Sequence, residues 1–219
     1  MMIDVVIPCY LLPDNDGELI GFFLRTVQSL LLSTKQDLHL IVIDNGSPVG
    51  AEVLREYAGT YVRNRENKGY GPAVNQGLRL STTQVVMVIN NDLAFGHCDW
   101  PAIAAATLSS IYPGIVSAHL IENDHSMQAF AGEYPGEHLN GSCWAVRRDV
   151  LDEVGLLDEN FERGMFEDKD YVRRVLAAGW GHYKAGWVSH VGGATWGKLP
   201  DQQKVFLKNR AYYQEKWRS

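Results

Sequence analysis

Two clusters of oxygen-bearing side chains in this sequence are spaced for chemistry. Asn90-Asn91-Asp92 directly follows the apolar run Val85-Val86-Met87-Val88-Ile89, which sets Asn90 and Asp92 two residues apart at the end of a strand. Oxygen donors at that spacing suit a hard divalent cation such as Mg2+ or Mn2+, which takes further ligands from water or substrate phosphates. Phe166-Glu167-Asp168-Lys169-Asp170 opens the helical stretch up to Ala178, which Gly179 ends. Acids at a helix start answer the macrodipole and by themselves mean only capping. Beside a metal-like strand end, however, a carboxylate on a rigid helix start is a candidate general base, and Asp168 is that candidate.

Two further motifs bear on the same chemistry. Val188-Ser189-His190-Val191-Gly192-Gly193 delivers a histidine from an apolar strand, followed by backbone that must bend. A histidine satisfied by a backbone carbonyl is the plain reading. Neutral imidazole also binds Mn2+, which adds His190 to Asn90 and Asp92 as a metal candidate. Asn67-Lys68-Gly69-Tyr70-Gly71-Pro72 is a glycine-bearing loop entering a helix, where backbone amides can meet a phosphate or a base. Gly69-x-Gly71, with Asp92 about twenty residues on, half-matches a dinucleotide fingerprint, but Val74 stands at the third glycine position.

The elements that must position these residues are readable. Val5-Val6-Ile7-Pro8, Leu40-Ile41-Val42-Ile43-Asp44 and Val85–Asn90 are β-branched and nearly continuous, as strands buried on both faces of a parallel sheet are. Between them, Ile20, Phe23, Leu24, Val27, Leu30 and Leu31 fall at helical spacing, with Asp14 and Asp16 available at the start. Ala51–Tyr57 and Pro72–Leu80 read as helices flanking a short strand at Tyr61-Val62-Arg63. This alternation predicts a doubly wound, Rossmann-like, mostly parallel sheet with helices on both faces. In such sheets ligands sit beyond the carboxyl ends of the strands, here Pro8-Cys9-Tyr10, Asp44-Asn45-Gly46-Ser47 and Asn90-Asn91-Asp92. Farther on, helices are expected at Ala102–Leu108, Asp149–Val154, Asp168–Ala178 and Gln202–Trp217. Strands are expected at Ile115–Leu120 and Ser142–Val146, with a polar loop at Glu122–Asn140.

The bulk properties exclude several classes. The 219 residues carry 20 basic and 26 acidic side chains, a net charge of −6, which gives no general attraction to nucleic acid. With 46% hydrophobic and 21% charged residues the composition is that of a globular domain. Three scattered cysteines form neither a disulfide framework nor a zinc cluster. The richest apolar window, Leu19–Leu32, is too short and too polar to span a bilayer, and the start lacks a signal-peptide pattern. The expectation is a single cytoplasmic domain with no integral membrane segment.

The motifs taken in order resemble the family 2 glycosyltransferases: Val-Val-Ile-Pro-Cys-Tyr (5–10), Ile-Asp-Asn-Gly-Ser (43–47), Asn-Lys-Gly-Tyr-Gly-Pro-Ala-Val-Asn-Gln-Gly (67–77), Ile-Asn-Asn-Asp (89–92), Gly155–Phe161, Glu-Asp-Lys-Asp (167–170) and His190. The resemblance runs from residue 5 to about residue 217. It implies the GT-A fold, and transfer with inversion of a hexosyl or deoxyhexosyl group from a UDP- or dTDP-type nucleoside diphosphate sugar, assisted by Mn2+ or Mg2+. It places Pro8 and Tyr10 at the nucleobase, Asp44 at base or ribose, and Asn67, Gly69 and Asn75 in the nucleotide pocket, with Asn91 also on the donor. Asn90-Asn91-Asp92 takes the place of the family's Asp-x-Asp motif, with Asn where its first acid stands. Asp168 becomes the base, Glu167 orients the acceptor, and His190 contacts metal or diphosphate, with Gly192-Gly193 and Trp196 in a flap over the donor.

Two other classes are weighed against transfer. A non-catalytic nucleotide-sugar binding protein would explain Asn90 in place of an acid, and an NAD-dependent oxidoreductase would use Gly69-x-Gly71. Residues 1–95 read as the nucleotide-binding half and 96–219 as the acceptor-binding half. Saccharide, protein, small-molecule and modified-nucleobase acceptors are all compatible with the sequence.

Overall fold

The computed structural model of the chain describes residues 2–13, 17–110, 113–122, 139, 141–192, 194–198 and 201–218. Asp14, Asp16, Gly193, the Trp196 side chain and most of the 122–140 loop lie outside the described residues. In chain order the elements are β1 (Met2–Cys9), α1 (Glu18–Ser33), β2 (Asp37–Asp44), α2 (Ala51–Tyr57), β3 (Thr60–Arg63), α3 (Tyr70–Leu80), β4 (Val85–Ile89) and β5 (Leu93–Ala94). They continue with α4 (Trp100–Leu108), β6 (Pro113–Glu122), β7 (Cys143–Arg147), α5 (Arg148–Val154), α6 (Glu167–Ala177), β8 (Gly181–His190) and α7 (Gln202–Lys216).

Eight strands form one sheet in the order β3-β2-β1-β4-β7-β6-β8-β5. The pairs β1–β2, β1–β4, β2–β3 and β6–β8 are parallel, whereas β4–β7, β6–β7 and β5–β8 are antiparallel. The continuous apolar runs of β1 and β4 make sense in this setting, because both faces are covered. Ile3, Val5, Ile7, Val85, Met87 and Ile89 face one core with α1 and α4. Val6, Val86 and Val88 face the other with α3, α5 and α6. Gly77 lets α3 ride directly on β1: a Cβ there would stand 2.2 Å from Val6 Cγ1, so any larger residue would push the helix off the sheet.

The expected doubly wound sheet is present, with most of its elements within a few residues of their expected bounds. β5 was not expected. It has only two residues, too few for a hydrophobic pattern to register, yet it carries the chain from Asp92 to the far edge of the sheet and pairs there with the end of β8.

Candidate functional site

The carboxyl ends of β1 and β2 form the first wall. Pro8 and Tyr10 are half-buried there, and the Asn45 N–H donates to the Cys9 carbonyl at 2.7 Å, joining the two strand ends. Asp44, fully buried, is already engaged. It accepts from the Ser47 N–H at 2.8 Å, the Tyr61 hydroxyl at 2.6 Å and Arg63 Nη1 at 2.9 Å. Its direct partners are thus protein groups, and the Arg63 guanidinium, 42% exposed, is what this corner presents outward.

An amide network shapes the loop before α3. Asn45 donates to Asn67 Oδ1 at 2.9 Å and to the Gly69 carbonyl at 3.0 Å, and accepts from Asn64 and the Lys68 N–H. Asn67 also accepts from the Gly69 N–H at 2.9 Å. Gly69 has φ +93°, a left-handed conformation that side chains disfavour. Asn75 lies apart from this mouth, on the buried side of α3. It donates to the Leu157 carbonyl at 2.9 Å and Glu159 Oε1 at 2.8 Å, and accepts from the Leu157 N–H at 3.0 Å. Its amide ties the 155–159 segment to α3.

The second wall brings Asp92 and His190 together. Leu93 pairs with His190 across β5 and β8, the Val191 N–H donates to the Asp92 carbonyl at 3.1 Å, and Asp92 Oδ1 stands 3.3 Å from His190 Nε2. Both side chains are buried, at 6% and 5% exposure, in a pocket whose lining includes Phe22, Arg25 and Ser189. Among the described residues, Asp92 Oδ1 accepts no hydrogen bond. A buried anionic oxygen left without a donor, beside an imidazole nitrogen, fits a cation that takes one oxygen and one nitrogen from protein. Among the described residues no three His, Cys, Asp or Glu side chains gather to hold a metal, so such an ion would complete its shell with substrate and water. Asn91 is also buried, and Asn90, half-buried, donates its N–H to the Ser142 carbonyl at 2.8 Å.

The acids at the start of α6 face this same region. A Cβ on Gly141 would stand 3.0 Å from Asp168 Oδ2, and Gly141 precedes the Ser142 that holds Asn90. The Tyr70 hydroxyl donates to the Gly141 carbonyl from the other side. The two acids differ sharply. Asp168 is only partly buried, whereas Glu167 is 5% exposed, with no hydrogen-bond partner for Oε2 among the described residues. Burial, then the Asp168 and Asp170 charges, push the Glu167 carboxyl well above its ordinary value. Burial and the Glu167 and Asp168 carboxylates push the Tyr70 hydroxyl up as well.

Asp170 proves to be a structural anchor. Fully buried, it accepts from Arg174 Nε at 2.9 Å, Lys216 Nζ at 2.8 Å and Trp217 Nε1 at 3.0 Å, fastening α7 to α6. Asn209 in α7 was missed from sequence. It bonds the backbone of residues 162–165, immediately before Glu167. The available signal was a buried-face polar residue between Phe206 and Tyr213 in a helix, where Asn is a poor former.

The sheet order and the helices that cover it match the GT-A fold of solved glycosyltransferase structures. Residues 4–109 match the family model described as glycosyl transferase family 2, the family whose motifs the sequence resembles. A mannosyltransferase from Pyrobaculum calidifontis, solved in complex with GDP-Man and Mn2+, superposes with TM-score 0.67 at 19% identity, covering 97% of this chain and 69% of that one. GalNAc-T7, solved with UDP, GalNAc and Mn2+, gives TM-score 0.72 at 18% identity, covering 99% of this chain and 48% of that one. At these identities the likeness is one of fold. An uncharacterized protein, y4gI, from Sinorhizobium fredii is 26% identical over 236 residues, spanning 89% of this chain. The chain covers 26% of that relative's length.

Proposed function

We propose that the chain is an inverting glycosyltransferase that moves a hexosyl or deoxyhexosyl group from a UDP- or dTDP-type nucleoside diphosphate sugar to an acceptor hydroxyl. The observation that carries this reading is the convergence of Asp92 and His190 at 3.3 Å, at strand ends of a chain whose residues 4–109 match family 2. Residues 1–95 hold the donor. Pro8 and Tyr10 border the base, Asp44 acts at base or ribose through the Arg63 it orients, and the Asn67–Gly69 loop, with Asn75 bracing α3 behind it, shapes the pocket. Asn91 lies at the diphosphate.

Asp92 and His190, with Asn90 beside them, would hold Mn2+ or Mg2+. When bound there, the cation stabilises the charge that grows on the departing nucleoside diphosphate. Asp168 takes the proton of the acceptor hydroxyl as that oxygen attacks the anomeric carbon opposite the leaving group, which inverts the centre. Glu167, whose burial favours its protonated form, orients the acceptor and leaves the base role to its neighbour. Residues 96–219 take the acceptor, of the saccharide, protein, small-molecule or modified-nucleobase class. No helix among the described residues is long and apolar enough to cross a membrane, and the proposed setting of the reaction is the cytoplasm.

Thermal unfolding with UDP, dTDP, GDP or NAD, each with and without Mn2+, tests the reading. A ligand at a hundred times its Kd adds about 2.7 kcal/mol of stability. Stabilisation by UDP or dTDP that grows with Mn2+ is the expected result, and stabilisation by NAD alone would replace it with an oxidoreductase.

A further inference from the structure

The turn that aims the α6 acids is held by a residue that lies outside the site. Arg163, Met165 and Phe166 adopt φ of 57°, 73° and 76°, with Gly164 at 130° between them. Side-chain-bearing residues avoid this region, and several in one turn persist only where the surroundings fix them. Asn209, 1% exposed, is what fixes them. Its Nδ2 donates to the carbonyls of Glu162 at 2.9 Å and Gly164 at 2.6 Å, with the Met165 carbonyl at 3.3 Å, and its Oδ1 accepts from the Glu162 N–H at 3.0 Å. Beside the turn's own bond from the Gly164 N–H to the Glu162 carbonyl at 2.6 Å, one side chain thus supplies partners to three of its carbonyls and one of its N–H groups.

The neighbours of Asn209 on its helix complete the grip. Phe206 and Tyr213 lie three residues before it and four after, on one face of α7, and hold the Phe166 ring at centroid distances of 5.2 and 5.7 Å. From the opposite side the Tyr70 N–H donates to the Arg163 carbonyl at 3.2 Å, and a Cβ on Gly69 would stand 3.1 Å from Arg163 Cα. The 162–166 turn therefore lies between the loop that opens α3 and the first turn of α6.

We propose that Asn209 is a positioning residue that sets where Asp168 stands relative to the donor loop. The inference rests on the assignment of Asp168 as the base. Without the two amide N–H donors, the Gly164 and Met165 carbonyls lose the Asn209 bond, the Glu162 carbonyl keeps the Gly164 N–H at 2.6 Å, and the turn relaxes toward ordinary backbone angles. Asp168, two residues beyond Phe166, moves with it. The Asn67–Gly69 loop has its own support in Asn45, so donor affinity does not depend on Asn209 to the same degree.

The test compares wild type, Asn209→Asp, Asn209→Ser, Asp168→Asn and Val205→Ala, each with Mn2+ and with UDP-glucose, UDP-N-acetylgalactosamine or GDP-mannose. Nucleoside diphosphate release, with water standing in for the acceptor hydroxyl at the anomeric carbon, and donor Kd are measured below every variant's melting temperature. Asn209→Asp keeps the volume and removes the donors, Asn209→Ser is the milder change should the first fail to fold, and Val205→Ala loosens the same helix at a buried apolar position. Misplacing a reacting group by about 1 Å can cost about a hundredfold, so both Asn209 variants should lose turnover at least about tenfold while donor Kd stays within about threefold. Val205→Ala should lower the melting temperature and keep its turnover. Asn209 variants that turn over like Val205→Ala while Asp168→Asn is impaired overturn this inference alone. Wild-type turnover by Asp168→Asn overturns the base assignment and this inference with it.

Discussion

The Asp92 carboxylate and the His190 imidazole meet at 3.3 Å because a two-residue strand, β5, turns back against the end of β8 with Leu93 opposite His190. If the pair holds the cation proposed here, Asp92→Ala should abolish turnover and reduce donor affinity in Mn2+ to its metal-free level. His190→Ala should remove most of the Mn2+ effect and leave metal-free binding near wild type. Titrating UDP by calorimetry with and without Mn2+ reads both. Mn2+-dependent binding that survives intact in Asp92→Ala would move the ion elsewhere.

Asp168→Asn preserves shape and removes basicity. Loss of a general base costs about 10²–10⁴-fold, so turnover should fall by that factor while donor affinity is nearly unchanged. Steady-state nucleoside diphosphate release alongside direct binding separates the two quantities. A greater loss in Glu167→Gln than in Asp168→Asn would exchange the roles of the two acids.

The legible part of this molecule is the part where one residue's pattern speaks for its neighbours. β1, β2 and β4 announce themselves through continuous β-branched runs, and α1 through its apolar spacing, because burial on two faces or one leaves a periodic trace. Asp92, His190, Glu167 and Asp168 stand out in the sequence as polar groups at the ends of such elements, and their proposed roles wait on the variants above. The 162–166 turn left no trace, since Arg163, Met165 and Phe166 are not residues whose identity signals positive φ. Asp170 looked like a capping acid because its partners, Lys216 and Trp217, come from the far end of the chain. The amide network that engages Asn67 was not legible, because its partner Asn45 comes from a strand end 22 residues earlier.

Glu167 should carry a pH signature in stability as well as in activity. Burial raises its folded-state pKa above the ordinary 4.5, so the folded chain binds this proton more tightly than the unfolded chain does. Its contribution is fully present below pH 4.5 and is lost as pH rises toward the elevated folded value. Glu167→Gln cannot ionise and removes that loss. Urea unfolding across a pH series should therefore show the variant gaining on wild type as pH rises above 4.5, and a constant difference would place Glu167 in a more polar setting than its 5% exposure indicates.

Asn75 tests whether a residue in the middle of a motif acts on the donor or on the fold. Its three hydrogen bonds join α3 to Leu157 and Glu159, and both Asn75 and Leu157 are almost wholly buried. Alanine leaves the Leu157 N–H and carbonyl without that partner, in a place water reaches poorly. An unsatisfied buried polar group costs about 1–3 kcal/mol. In a chain of this size each kcal/mol shifts Tm by about 2–4 °C, so Asn75→Ala should melt about 2–12 °C lower. Donor affinity, measured below that melting point, should stay within about threefold of wild type, because the Asn45–Asn67–Gly69 network remains intact. Since Asn75 braces the segment leading to the 162–166 turn, a modest loss of turnover with unchanged donor affinity is the accompanying effect. A variant with wild-type Tm and lost donor binding would instead put the Asn75 amide in the nucleotide pocket.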